Sequence, residues 1–391
     1  MKKFMGIVNK ALVIMLVCAF GFAVLSCKSA KPEDEIWIGV FEPLTGANAG
    51  GGNIELEGIK LANTMHPTVE VAGKTYKVVL KIADNKSDKV ESANAVERLI
   101  SSDKVNVILG SWGSSLSMAG GEIAKDKKVP IIGLSCTNPL VTKGNDYYFR
   151  VCFIDPFQGV VMAHYAFEDL NATNAVIIQE VSNDYSIGLA KYFNDEFIRL
   201  TGKSNAILAT INYNTNDNDF NAQLTQIKSL NPDIIFAPGN FTESALVISQ
   251  ARALGINTQF IGGDTWETNE FIDVGKAAVE GSVFSSFYEP SDTDADDPLT
   301  NHFLSEYTKQ YNKDPAAVTA LGYDGYLLAL DAIERAGSTD PVKIRTAIAK
   351  TTSFTGVTGV VNLDENGDTS KPAIIKTVQN GNFKFIKVVN P

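Results

Sequence analysis

A chain of 391 residues is too long for one ordinary hydrophobic core and suits two lobes. Its 45 acids against 34 basic residues give a formal charge of −11, which makes it a poor candidate for nucleic-acid binding. Beyond residue 25, no apolar run is long enough to span a membrane.

Lys2, Lys3 and Lys10 lead into residues 11–25, which are nearly all apolar. This is the pattern of an export signal, and residues 1–26 are left out of fold reasoning. Val24-Leu25-Ser26-Cys27 resembles a bacterial lipobox. That resemblance implies cleavage before Cys27, a lipid on its thiol, and a mature protein held at the periplasmic or outer face of a membrane. The alternative is an uncleaved anchor, but the run falls short of the ~20 residues of a typical span. Of the remaining cysteines, Cys18 lies in the signal, so only Cys136 and Cys152 belong to the folded part. They can pair outside the cytoplasm, but two cysteines make no disulfide framework. Cys136 reads better as a small buried residue at the end of an apolar strand.

Residues 28–35 form a polar tether, and Ile36-Trp37-Ile38-Gly39-Val40 the first strand. Glu42-Pro43-Leu44-Thr45-Gly46 is a turn, followed by a Gly-rich loop over 47–53 and a helix carrying Ile59, Ala62 and Met65 on one face. Residues 69–82 hold a strand pair about Ala72-Gly73-Lys74. Asp88 with Glu91 has the form of a capping box for a helix that places Val90, Ala93, Val96 and Ile100 at helical spacing. Residues 105–139 then give strand, small-residue turn, helix, strand and a second small-residue turn. The runs ending at Gly110 and Ser135 suit parallel strands buried on both faces, and the segment between them is long enough for a crossover helix. Both turns therefore lie at the carboxyl ends of neighbouring strands, where open α/β sheets bind ligands. Ser114, Ser115, Ser135 and Thr137 offer hydroxyls there, and the helix after Ser114 aims free N–H groups at the crevice, which favours an anion.

After a strand at 147–151, strands at 175–178, 206–212, 233–237 and 259–263 alternate with helices whose faces are Leu189/Phe193/Phe197, Leu224/Ile227/Leu230 and Ala245/Ile248/Ala251. Such alternation predicts parallel sheets, an α/β fold. Residues 283–288 cross back, and helices are expected near 302–311, 316–336 and 341–350. Strands at 356–363, 373–378 and 383–389 close the chain, with Asn380-Gly381 as a hairpin turn.

Most chemical motifs fail on inspection. Gly73-Lys74-Thr75 lacks the glycine that a phosphate loop needs at position 68 and has no helix after it. His66, His164 and His302 are far apart and not in metal-ligand spacing, no Gly-x-Ser-x-Gly elbow surrounds any serine, and no histidine has a predicted place beside Ser114. Neither a metal nor a cofactor is expected. Residues 214–219 read as a helix start capped by Asp217 or Asn218, and 289–297 as a solvated acidic loop. Asp264 is sharper. It sits at the end of a strand, where a carboxylate can meet a ligand ammonium, with helix capping as the plain alternative.

In order and spacing, Glu42-Pro43-Leu44-Thr45-Gly46, Asp84-Asn85-Lys86-Ser87-Asp88, Gly110-Ser111-Trp112-Gly113-Ser114-Ser115, Asn183-Asp184-Tyr185-Ser186-Ile187-Gly188, Gln250-Ala251-Arg252-Ala253-Leu254-Gly255 and Phe260-Ile261-Gly262-Gly263-Asp264 resemble the type I periplasmic substrate-binding proteins. The closest branch is the leucine/isoleucine/valine-binding family of ABC importers. The likeness covers nearly all of residues 36–391. It implies two Rossmann-like lobes joined by a three-crossover hinge, with passages near Val151, Val283 and Gly359. Lobe 1 is expected as 36–151 plus 284–358 and lobe 2 as 152–283 plus 359–391, after a signal at 1–26 and a tether at 27–35. It also implies a ligand carboxylate on Ser114 and Thr137, an ammonium on Ser135, Thr137 and Asp264, and closure by Tyr185. The family commonly carries a longer acid where this chain has Asp264. A second-lobe tyrosine of some members falls near Asn240 and Phe241. Trp112 and Trp266 flank the expected site and either narrow it or stack on an aromatic ligand.

The function so implied is a non-enzymatic one: an extracytoplasmic lipoprotein that binds an amino acid, branched-chain or otherwise apolar or aromatic, and delivers it to an ABC permease. Alternatives are an amide, urea-like or aromatic-acid ligand, or a sensory receptor. An enzyme is the least supported class.

Overall fold

A computed structural model of the chain describes residues 31–290 and 297–391. The expected signal and Cys27 lie outside the described residues, as does most of the acidic loop at 289–297.

The first α/β series runs β1 (Glu35–Glu42), α1 (Ala49–Met65), β2 (Thr68–Val71), β3 (Lys74–Asp84), α2 (Lys89–Ser101), β4 (Val107–Leu109), α3 (Ser114–Lys127), β5 (Ile131–Gly133) and β6 (Tyr148–Arg150). Its six-stranded sheet has the order β2-β3-β1-β4-β5-β6, and β1, β4, β5 and β6 pair in parallel. The short strands β4 and β5 are apolar because helices cover the sheet, and Ile38, Val40, Val107, Leu109 and Ile132 are fully buried. Asp88 caps α2, accepting from the N–H groups of Val90 and Glu91 at 2.8 and 3.0 Å. The capping box is only half formed, since Glu91 turns to Lys86 and the Asp88 N–H goes to the Asn85 carbonyl.

The second series runs α4 (Asp155–His164), β7 (Ala175–Glu180), α5 (Asp184–Thr201), β8 (Ile207–Tyr213), α6 (Asn221–Leu230), β9 (Ile234–Phe236), α7 (Phe241–Ala253), β10 (Gln259–Gly262), α8 (Asn269–Gly275) and β11 (Val283–Ser286). The chain continues through α9 (Pro298–Tyr311), α10 (Ala317–Ala336) and α11 (Pro341–Ile348), then β12 (Phe354–Gly356), β13 (Gly359–Val361), β14 (Ala373–Gln379) and β15 (Asn382–Val389). The second sheet has seven strands in the order β15-β14-β11-β10-β9-β7-β8. β8, β7, β9, β10 and β11 pair in parallel, and β14 and β15 close it antiparallel. α10 packs along α1, which returns the late helices to the first lobe.

Three details differ from the sequence reading. β11 continues past Val283 to Ser286 in the second sheet, because its whole length is buried between β10 and β14. Residues 354–361 form a separate two-stranded hairpin, so the last passage between the sheets lies between β13 and β14. α6 begins at Asn221, after Phe220, without a side-chain cap. Asp217 instead accepts from the Asn214 N–H at 2.8 Å and tightens the preceding loop.

Candidate ligand-binding site

β4 and β5 end side by side, and the segments after them form one wall of a crevice between the lobes. The opposite wall comes from the carboxyl ends of β9 and β10 and the start of α5. Trp112, Gly113, Ser114, Ser135, Asn183, Tyr185, Asn240, Asp264 and Thr265 line a narrow space between the walls.

On the first wall, Ser114 opens α3, with its N–H groups facing the crevice. Its Oγ accepts from the Asn138 N–H at 3.1 Å, which leaves the hydroxyl proton free to donate elsewhere. The Thr137 hydroxyl is buried beside the Asp155 carboxyl. The Trp112 N–H donates to Glu42 Oε2 at 2.7 Å, which fixes the turn. The Trp112 indole lies flat against α1 at Gly51, where a Cβ would come within 2.3 Å of the ring. The glycine-rich start of α1 thus makes room for the indole.

On the second wall, Asp264 opens a single 3₁₀ turn (Asp264–Trp266) and caps nothing. Its Oδ1 accepts from Gln158 Nε2 at 2.6 Å and from the Tyr185 hydroxyl at 2.9 Å. Burial pushes its pKa up to about 6 even with those donors in place. Asp155 is also buried, and burial raises it well above the usual carboxylate range although the Thr137 hydroxyl beside it pulls the other way. Beside Ser135, burial also pushes Glu55 up to about 8, and Glu42, next to it, rises as well. Two carboxyls this close and this dry cannot both ionise.

Several contacts cross the crevice. Asp184 accepts from the Ser115 hydroxyl at 2.7 Å and from Lys89 Nζ at 2.9 Å, and its own N–H donates to Ser115 Oγ. Asn138 Nδ2 donates to the Asp184 carbonyl at 2.8 Å. Asn240 reaches Asn48 at 3.0 Å, and Phe241 sets its ring edge-to-face on Trp112 with centroids 6.2 Å apart. The lobes described here are therefore closed on each other.

Ser114, Ser135, Tyr185, Asn240, Trp112 and Asp264 all come together at the crevice. Thr137 and Phe241 stand directly behind its lining. Trp266 does not line it: the 3₁₀ turn swings its ring into the second lobe, stacked on Phe271 at 4.8 Å between centroids and packed on Gly262. Sequence reasoning missed Gln158, Asp155, Glu55, Asn183 and Thr265. Of these, Asn183 carried a usable signal, as the N-cap of a helix that starts at a strand's carboxyl end. Cys136 and Cys152 are free, buried thiols. Among the described residues no group of His, Cys, Asp and Glu is arranged to hold a metal, and no helix is long and apolar enough to cross a membrane.

Residues 35–382 match the family model described as periplasmic binding protein. The chain belongs to the periplasmic binding protein family. Within it, this binding protein falls in the branched-chain amino acid branch. The leucine-binding protein LivK of Thermotoga maritima shares 41% identity and a TM-score of 0.86, over 91% of this chain and 99% of that one. LivJ of Streptococcus pneumoniae, solved in complex with isoleucine, shares 32% identity and a TM-score of 0.83, over 91% and 100%. The Leu/Ile/Val-binding protein homolog 2 of Brucella abortus is 26% identical over 359 residues, 91% of this chain and 93% of that protein. These homologues are named as substrate- or amino-acid-binding proteins.

Proposed function

We propose that this binding protein takes an amino acid with a compact apolar side chain, branched-chain amino acids foremost, and delivers it to an ABC permease. One observation carries the reading. A buried acid on one wall, Asp264, faces hydroxyls and a helix N-terminus on the other, around Ser114, across the crevice that both walls line. Enclosing a zwitterion requires such paired poles, because a buried charge left alone costs several kcal/mol. In this reading the ligand carboxylate sits on Ser114 and the Thr137 N–H and hydroxyl, and the ammonium on Asp264 and the Ser135 carbonyl. Tyr185, Asn240 and Phe241 belong to the closing wall, and Trp112 limits the side chain. Closure is a hinge motion between the bodies built on the two sheets. The names of the relatives LivK and LivJ support the ligand class, and the lipobox-like Val24-Leu25-Ser26-Cys27 supports a lipid anchor on Cys27, facing the periplasm or the outside.

A thermal-shift panel of amino acids, their amides and aromatic acids tests this. Leucine, isoleucine or valine at a hundred times Kd should stabilise the protein by about 2.7 kcal/mol through mass action. Stabilisation by amides or aromatic acids alone would overturn the ligand class. Mass spectrometry of the exported protein should find a diacylglyceryl adduct that Cys27→Ala abolishes.

A further inference from the structure

We propose that Arg150 is a positioning residue that aims the Thr137 N–H at the ligand carboxylate and ties that backbone to the hinge. This rests on the reading above that Thr137 meets the carboxylate.

Arg150 ends β6, is fully buried, and lies at the passage into the second lobe. Its Nη1 donates to the carbonyls of Cys136 at 2.6 Å and Asn138 at 3.0 Å, one on each side of Thr137. Its Nη2 donates to Thr142 Oγ1 at 2.6 Å and its Nε to Asp368 Oδ1 at 2.6 Å. The Thr142 hydroxyl donates in turn to the same Asp368 oxygen at 2.9 Å.

The geometry of the peptide unit does the aiming. The Cys136–Thr137 peptide is trans, so its C=O and N–H point in opposite directions. A guanidinium that holds the Cys136 carbonyl therefore turns the Thr137 N–H directly away from itself, toward the crevice. The next carbonyl, of Thr137, is held by the Asp155 N–H at 2.9 Å. Three successive carbonyls are thus fixed by donors from the hinge side, two of them by one side chain. Lysine cannot replace this, because it offers three donors from one point where arginine offers five in a planar fork.

Asp368 brings in the other end of the hinge, since it lies on the passage between β13 and β14. The Gly367 carbonyl accepts from the Arg150 N–H at 3.0 Å, and Gly367 has φ +84° with its Cα pressed on β6. A Cβ there would come within 2.7 Å of the Tyr148 carbonyl oxygen, so only glycine lets this segment seat. The first and third passages between the lobes therefore share one cation with the ligand-facing backbone.

Calorimetry with L-leucine and L-leucinamide, which lacks the carboxylate, tests the proposal on wild type, Arg150→Lys and Asp368→Asn. Wild type should prefer leucine strongly. Arg150→Lys should weaken leucine at least tenfold and change leucinamide less than threefold, so that the preference collapses. Asp368→Asn, which keeps the guanidinium in place, should lower the preference in the same direction but less, and decides the matter if the lysine variant fails to fold. An unchanged preference in folded variants, or an equal loss for both ligands, would overturn the proposal while leaving the ligand reading intact. A wild type that does not prefer leucine would overturn both.

Discussion

Asp264→Asn separates the binding role of this acid from its cost to the fold. In the free protein, burial raises Asp264 from an ordinary 3.8 to about 6. A shift of about two units, at ~1.4 kcal/mol each, means that its ionised form costs the free fold about 3 kcal/mol at neutral pH. The sign follows from a raised acid: the stability it allows is fully present below 3.8 and is lost as pH rises through 6. The asparagine variant keeps an oxygen for Gln158 and Tyr185 without that charge. Without ligand it should melt several degrees above wild type at pH 7.5, and the gap should close near pH 4. Ligand binding should move the other way. A hydrogen bond to a charged group contributes about 1.5–3 kcal/mol, so the variant should bind leucine roughly ten- to a hundredfold more weakly. In wild type, protonation below pH 6 should weaken binding about tenfold between pH 7.5 and pH 5, and the variant should lose the step centred near 6. Differential scanning fluorimetry and calorimetry at four pH values read both effects. Flat wild-type affinity, together with a variant that binds normally, would remove Asp264 from the ammonium contact.

The other predictions concern the opposite wall and the contacts across the crevice. Ser114→Ala with Thr137→Val should weaken leucine at least tenfold by calorimetry while leaving leucinamide nearly unchanged, because both lost groups face the carboxylate. Asp184→Ala removes two cross-lobe contacts, to the Ser115 hydroxyl and to Lys89, and should raise Kd severalfold by lowering the closed population, measured by single-molecule FRET; Lys89→Ala should do far less, since an exposed ion pair contributes about 0.2–1 kcal/mol. Trp112→Leu should open the space above Gly51 and shift preference toward larger side chains, scored by competition between valine and phenylalanine.

Ser114, Ser135 and Asp264 were legible in the sequence because each follows a strand, and a parallel sheet puts its strand ends on one side. Once the alternation of strands and helices is read, those residues converge without knowledge of any contact. Gln158, Asp155 and Glu55 were not legible, because they lie buried behind the crevice on helices whose packing no local pattern records. Trp266 was misjudged by its nearness in sequence to Asp264. Two residues along a 3₁₀ turn, the chain has rotated enough to send the ring into the core. β11 was cut short for a related reason. Nothing in Val283–Ser286 marks where its pairing stops, since Ser285 and Ser286 are buried as fully as Phe284. Ser285 is satisfied by Gln158, and Ser286 by Glu267.

The edge-to-face contact of Phe241 on Trp112 also makes the protein report on itself. The chain has three tryptophans, and they occupy three different settings. Trp37 lies under the Lys81 ammonium, and Trp266 is sealed inside the second lobe. Trp112 alone is an indole whose ring neighbour belongs to the opposite lobe. When the lobes part, that ring is unstacked and wetted, while the other two tryptophans serve as an internal standard. The emission spectrum of the native chain therefore carries an opening signal without any dye or engineered label.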